Sequence, residues 1–148
     1  MPYGRRRSWV PPVPSGAMIP GEGPSDARVM LVGERGGAEE DVQRRPFVGP
    51  SGQELDRQLA RVGIRRSEVY VTNVVKDYQH HSPTLEEVER DTPLLLDEIK
   101  MVQPTFIGAV GLYATKFFLG ETTMDMAHGV PHWIANMRPR DLDYSVVV

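Results

Sequence analysis

Apolar residues recur along this chain with two periods. Val29-Met30-Leu31-Val32 is a short unbroken apolar run bounded by Arg28 and Gly33, which predicts a buried strand over roughly 28–32. A polar stretch over 33–50 follows. Its Arg35, Glu39, Glu40, Asp41, Gln43, Arg44 and Arg45 predict a long loop at the surface rather than a buried connection. From Ser51 the period changes to that of a helix. Ser51 and Glu54 stand at capping-box spacing, Leu55, Leu59 and Val62 make one face, and Gly63 can end the helix. Val69–Thr72 predicts a second strand, with Asn73 just past it. Thr84 and Glu87 repeat the capping-box spacing before a long face of Leu85, Val88, Leu95, Ile99 and Val102, which Pro93 should kink. Phe106–Val110 predicts a third strand. Tyr113, Ala114, Phe117 and Phe118 suit a short helix ended by Gly120. A loop with Gly129 and Pro131 leads to a fourth strand at Tyr144–Val148.

Strands alternating with helices predict an α/β fold: a parallel sheet with helices on both faces, three layers in all. Strand order is not legible from the pattern. The 148 residues suffice for one domain with a real core, here 27–148. Residues 1–26 are rich in Pro and Gly and predict an extended arm over the domain surface. Arg5-Arg6-Arg7 in that arm could touch phosphate, although a solvated tail is the plainer reading, and Trp9 suggests that part of the arm packs down.

The net charge is −3, so any nucleic-acid contact must come from a local basic patch. There are no cysteines. Disulfides and thiolate-bound metal are therefore outside this sequence's means, and a reducing, cytoplasmic setting fits. No apolar run approaches the ~20 residues of a membrane span, and no membrane association is expected. His80-His81 without a third ligand nearby make a poor metal site, and no metal is expected.

The chemistry concentrates after the first strand, in Gly33-Glu34-Arg35-Gly36-Gly37, Glu39-Glu40-Asp41 and Pro46-Phe47-Val48-Gly49. A strand ending in a glycine-rich, acid-bearing loop is where α/β folds place ligands. Glycines let backbone N–H groups come close, acids supply charge or proton transfer, and Phe47 could stack on a flat ring. The plain alternatives are a Phe47 in loop core, an Asn73 making local turn bonds, and a solvated Glu39–Asp41 run. Glu34 is harder to dismiss, because a carboxylate between a buried strand and a glycine loop needs partners.

Gly33-Glu34-x-x-Gly37, Glu40-Asp41, Pro46-Phe47-Val48-Gly49 and then Val69-Tyr70-Val71-Thr72-Asn73-Val74-Val75-Lys76 resemble the uracil-DNA glycosylase superfamily, most of all its family 4 branch and the UDGX type. The resemblance runs from about Gly21 to Val148. It implies a four-stranded sheet of order 2-1-3-4 and a DNA glycosylase that hydrolyses the N-glycosidic bond of uracil or a modified pyrimidine. It implies Phe47 stacking on the flipped base, Asn73 pairing with its edge, and Gly33, Arg35 and Gly37 around it. Glu34 and Asp41 would be acids at the pocket that organise water or a neighbouring residue. Contacts to single- or double-stranded DNA are expected from Arg44, Arg45 and Lys76, and a monomer is expected.

The sequence departs from the family at four places. Gly36 replaces a usual proline. Arg35 and Gly37 stand where classical members carry a water-activating Asp and a bulky Tyr, which leaves the 5-position of the ring unguarded. Family 4 holds an iron–sulfur cluster on four cysteines, whereas here Asp91 occupies one of those positions and no cluster is expected. The second motif of the family, a His-Pro-Ser-like loop, follows the fourth strand, where this sequence reaches Val148, so the domain is expected to be C-terminally incomplete. Two further readings stay open: a base- or DNA-binding module without turnover, and a glycosylase for a bulky modified base. Covalent trapping by His80 or His81, as in the UDGX type, is disfavoured because the basic insertion is missing.

Overall fold

The computed structural model describes residues 17–120, 128–129, 131, 133–134 and 146–147. Arg5-Arg6-Arg7, Trp9 and the expected strand residues Tyr144, Ser145 and Val148 lie outside them. The first strand, β1, is Val29–Arg35 and is followed by a short helix α1, Ala38–Gln43. Next come helix α2, Pro50–Arg61, and strand β2, Tyr70–Val75. Helix α3 is Leu85–Val102, strand β3 Phe106–Ala109 and helix α4 Leu112–Leu119. Two short strands, β4 (Trp133–Ile134) and β5 (Val146–Val147), complete the sheet.

The sheet order is β2-β1-β3-β5-β4. β1 pairs in parallel with β2 and β3, and β5 pairs in parallel with β3. The first four strands thus follow the expected 2-1-3-4 order. β4, which the pattern did not predict, adds an antiparallel edge to β5. Side chains alternate across the pleat and separate two cores. Met30, Val32, Tyr70, Val74 and Ile107 pack with Leu95, Ile99 and Val102 of α3 and with Ala114, Phe117 and Phe118 of α4. Leu31, Val69 and Val71 pack on the opposite face with Phe47 and Leu59. This is the three-layer α/β/α arrangement. Leu95 and Ile99 are fully enclosed, and truncating either to Ala should cost about 2–5 kcal/mol.

Several local expectations are corrected. The 33–50 stretch is not all loop: α1 lies within it, and Glu40, Pro46 and Phe47 are buried. Ser51 does not cap α2. The cap is Gly49, with Pro50 at the first helical position, where its fixed φ and missing N–H cost nothing. Gly63 does end the helix. At φ 76° it forms a Schellman closure, with Ile64 N–H donating to Leu59 O at 2.9 Å and Gly63 N–H to Ala60 O at 3.1 Å. Val62 and Leu85, expected on buried faces, are exposed. The Thr84–Glu87 capping box forms as expected, and α3 runs on through Pro93.

The described part of the arm is integral to the domain. Ile19 is buried, and its N–H donates to Lys76 O at 2.5 Å. Glu22 bridges antiparallel to Val71 along the outer edge of β2. Pairing that edge removes a row of open backbone groups, so residues 19–23 act as a strand guard rather than as a surface arm.

Candidate functional site

β1 and β2 end side by side, and their register sets Gly33 opposite Asn73. Asn73 lies inside β2, not beyond it, and is 6% exposed. Among the described residues its side-chain amide has no hydrogen-bond partner. It borders a cleft of about 470 Å³, shared with Arg35, Gly37, Glu40, Phe47 and Ser51, a size suited to a small flat ligand. Gly33 is what permits this. A Cβ there would stand 2.5 Å from Phe47 Cζ and 2.6 Å from Asn73 Oδ1. The aromatic ring and the amide therefore meet only because position 33 has no side chain.

Phe47 is held at φ 53°, the left-handed region where bulky residues are uncommon. The loop around it hangs on Glu40. The Glu40 carboxylate is 8% exposed and accepts from three backbone N–H groups. Gly37 donates to Oε1 at 2.7 Å, Val48 donates to Oε2 at 2.8 Å, and Gly49 donates to Oε2 as well. Three charge-assisted bonds offset the desolvation of one carboxylate and lock the Phe47 loop to α1. The sequence pattern does not single out Glu40 from Glu39 and Asp41 as a site residue. The available signal was its place three residues after Gly37, a capping spacing.

The two acids that were expected at the pocket sit elsewhere. Glu34 is at the right end of the sheet but on the opposite face of β1 from Gly33. Its carboxylate lies over Gly111, where a Cβ would meet Oε1 at 2.2 Å. Asp41 turns away to Arg44, Oδ1 to NH1 2.7 Å. Arg35 borders the cleft, but its guanidinium is committed to donating elsewhere: to Asp77 O at 2.9 Å, to His81 O at 2.9 Å and to the Glu87 carboxylate. Burial pushes the Glu87 carboxyl up, but hydrogen bonds from Arg35 and from the Thr84 backbone and hydroxyl outweigh it and hold its pKa at about 2. Arg90 spans Asp77 and Asp91, at 2.6 and 2.8 Å. Asp77 is driven up by burial yet ends below its ordinary range, because Arg90 and Gln79 donate to it and the Arg90 and Arg35 charges lie close.

Lys76 requires a correction. It is 3% exposed, and its ammonium donates to Thr72 Oγ1 and Glu98. Glu98 also accepts from Tyr70 OH at 2.6 Å and from Gly21 N–H at 3.1 Å. Burial lowers the Lys76 pKa despite the Glu98 charge, and raises that of Tyr70 with help from its bond to Glu98. Enclosed in this way, Lys76 cannot reach a DNA phosphate, and its role is structural. Arg44 ties down the 17–18 segment through Ala17 O at 2.6 Å and Met18 O. Arg45 forms a two-pronged pair with Glu22, both contacts 2.8 Å, and keeps 52% of its side chain exposed.

The sequence model of the Uracil DNA glycosylase superfamily matches residues 20–146. The chain belongs to the uracil DNA glycosylase superfamily. Its relatives include the type-4 uracil-DNA glycosylase of Pyrobaculum aerophilum, 46% identical over 100 residues, which cover 66% of this chain and 51% of that protein. The type-4 uracil-DNA glycosylase of Archaeoglobus fulgidus is 39% identical over 101 residues, covering 67% and 51%. That of Thermotoga maritima is 42% identical over 104 residues, covering 69% and 54%. The chain spans about half the length of these curated relatives.

The iron–sulfur cluster of the family 4 branch does not fit the donors of this chain. There is no thiolate. Asp91, at an expected ligand position, is already engaged: Lys76 N–H donates to its Oδ2 at 2.7 Å, and Arg90 pairs with it. Among the described residues no group of three or more His, Asp or Glu could hold a metal ion. No described helix is long and apolar enough to cross a membrane.

Proposed function

We propose that this chain forms the base-binding part of a DNA glycosylase that hydrolyses the N-glycosidic bond of uracil. The observation that carries the reading is the Asn73 amide, buried, without a partner among the described residues, and facing a cleft beside an aromatic ring. An unpaired buried amide is costly, by about 1–3 kcal/mol, and a ligand that satisfies it recovers that cost. Uracil offers a ring N–H and a carbonyl oxygen on one edge. Asn73 offers Oδ1 to accept and Nδ2 to donate. A nucleotide swung out of the stack would slide its base over Phe47, with Gly33 leaving room for both contacts. Water then attacks C1′ as the C1′–N1 bond breaks, the base leaves as an anion with the bonding pair, and the proton lost by the water passes to solvent. Glu34 lies over Gly111, on the other face of β1, and takes no part in holding the base. Asp41 acts on the loop through Arg44 instead. Arg35 shapes the rim without contacting the base. Names of the type-4 relatives support uracil as the substrate.

DNA contact falls to Arg45, the expected phosphate partner that stays half exposed, with Arg44 beside it. Each phosphate contact removed should lower the log–log salt slope of binding by about one. Turnover is tested by alkaline cleavage of a labelled strand that carries one uracil. Release of uracil that Asn73→Ala abolishes supports the reading. Unchanged release from Asn73→Ala removes it.

A second reading has its own observation. Gly37 lines the cleft, and among the described residues only Glu40 Oε1, at 3.1 Å, lies within 4 Å of where its Cβ would stand. The cleft is therefore open on that side to a pyrimidine with a substituent at the 5-position. Gly37→Tyr should suppress action on such bases while sparing uracil.

A further inference from the structure

We infer that Arg66 is a positioning residue for base recognition, acting through Phe47. The inference rests on the reading that Phe47 stacks on the base. Arg66 does not border the cleft. It lies in the single 3-10 turn Arg66–Glu68 before β2. Its guanidinium reaches back 20 residues, where NH2 donates to Pro46 O at 2.5 Å and NH1 donates to Phe47 O. Asp56 on α2 steadies NH1 at 3.2 Å. The Arg66 side chain is only 21% exposed, so solvent does not compete freely for these carbonyls.

Phe47 adopts a backbone conformation that a side chain other than glycine rarely holds unaided. It is clamped on both sides. Glu40 takes the N–H groups of Val48 and Gly49 that follow it, while Arg66 takes the carbonyls of Pro46 and Phe47. Gly52 closes the floor, since a Cβ there would stand 1.9 Å from Phe47 O. A planar guanidinium with two parallel donors fixes the orientation of two successive carbonyls, which a point charge cannot do. The ring is thereby set before any base arrives, and preorganisation of this kind is felt as recognition rather than as contact.

The test is a double-mutant cycle on the full chain. The readout is the affinity for a fluorescein-labelled single strand with one uracil, relative to the same strand with thymine. Arg66→Ala should reduce the uracil preference by about tenfold. Arg66→Lys, able to reach one carbonyl, should lose less. Adding Arg66→Ala to Phe47→Ala should reduce the preference no further. A full preference in Arg66→Ala overturns the inference. So does an additive loss in the double variant, which would mark general damage. If Phe47→Ala itself keeps the preference, the stacking reading fails first, and this inference falls with it. Should Arg66→Ala not fold, Arg66→Lys carries the same cycle, with a loss expected only where Phe47 is present.

Discussion

Asn73 and Lys76 stand three residues apart at the end of β2, both polar and both more than nine-tenths buried, and the fold treats them oppositely. Lys76 is surrounded by its own partners: Thr72 and Glu98 at the ammonium, Asp91 at the N–H. Asn73 has an aromatic ring and open space. On the even-numbered side of β2, Tyr70, Thr72 and Lys76 converge on Glu98 of α3, and the network is closed. On the odd-numbered side the pleat ends at a cleft. A closed buried network serves stability, because each group is satisfied and removing one strands another. A buried amide without a partner among the described residues leaves its desolvation for a ligand to repay, as proposed for Asn73. On the proposed function, the difference separates polar residues that hold the fold from the one that would read the base.

That separation can be broken by mutation. The largest effect is expected on the closed side. Glu98→Ala strips the buried Lys76 ammonium of its carboxylate and takes the shared acceptor from Tyr70 OH and Thr72 Oγ1, and should destabilise the fold by about 3–5 kcal/mol, read as a shift in urea midpoint. Uracil preference should survive wherever the protein remains folded. Next comes a change on the open side. Gly33→Ala places a methyl against Phe47 Cζ and Asn73 Oδ1 and should cut uracil binding by about 10²-fold, with a smaller change in stability. Equal losses of both would mean that the two sides are not separable.

The Arg35–Glu87 pair makes stability depend on pH. Its carboxyl is held at about 2 against an ordinary 4.5. A depressed carboxylate contributes stability that is fully present above the unfolded value and is lost as pH falls through the folded one. Acid should therefore erode stability between about 4.5 and about 2, and Glu87→Gln should flatten the curve in that window. Thermal midpoints across that range check it. The smallest effect belongs to Arg45→Ala. Its exposed pair with Glu22 should be worth about 0–1 kcal/mol, while the salt slope of DNA binding falls by about one. A large stability loss there would assign Arg45 to the closed class instead.

Much of this was legible along the chain. Apolar runs marked β1, β2 and β3, and the Thr84–Glu87 spacing marked the start of α3, because burial and capping leave local signatures. Phe47, Asn73 and Gly33 were readable as a group from the glycine loop and the motif after it. Other features depend on distant partners and left little trace. Lys76 has the charge of a phosphate contact, and only Glu98, 22 residues on, turns its ammonium inward. Glu40 was hidden among three acids in a row, and only the turn of α1 distinguishes it from Glu39 and Asp41. The left-handed Phe47 could not be anticipated, since the residues that impose it, Glu40 and Arg66, lie on either side of it in the sequence. Glu34 was placed at the correct end of the sheet, but the one-residue alternation of β1 sends it to the other face.

The most direct measurement is the affinity of the chain and of Asn73→Ala for a single strand with one uracil and for its thymine counterpart. The unmodified chain should prefer the uracil strand, and Asn73→Ala should bind both strands alike at an unchanged thermal midpoint or a higher one, because it removes a buried amide that has no partner among the described residues. An Asn73→Ala protein that keeps the preference, or loses it only by unfolding, would contradict the claim that the open amide at the end of β2 reads the base.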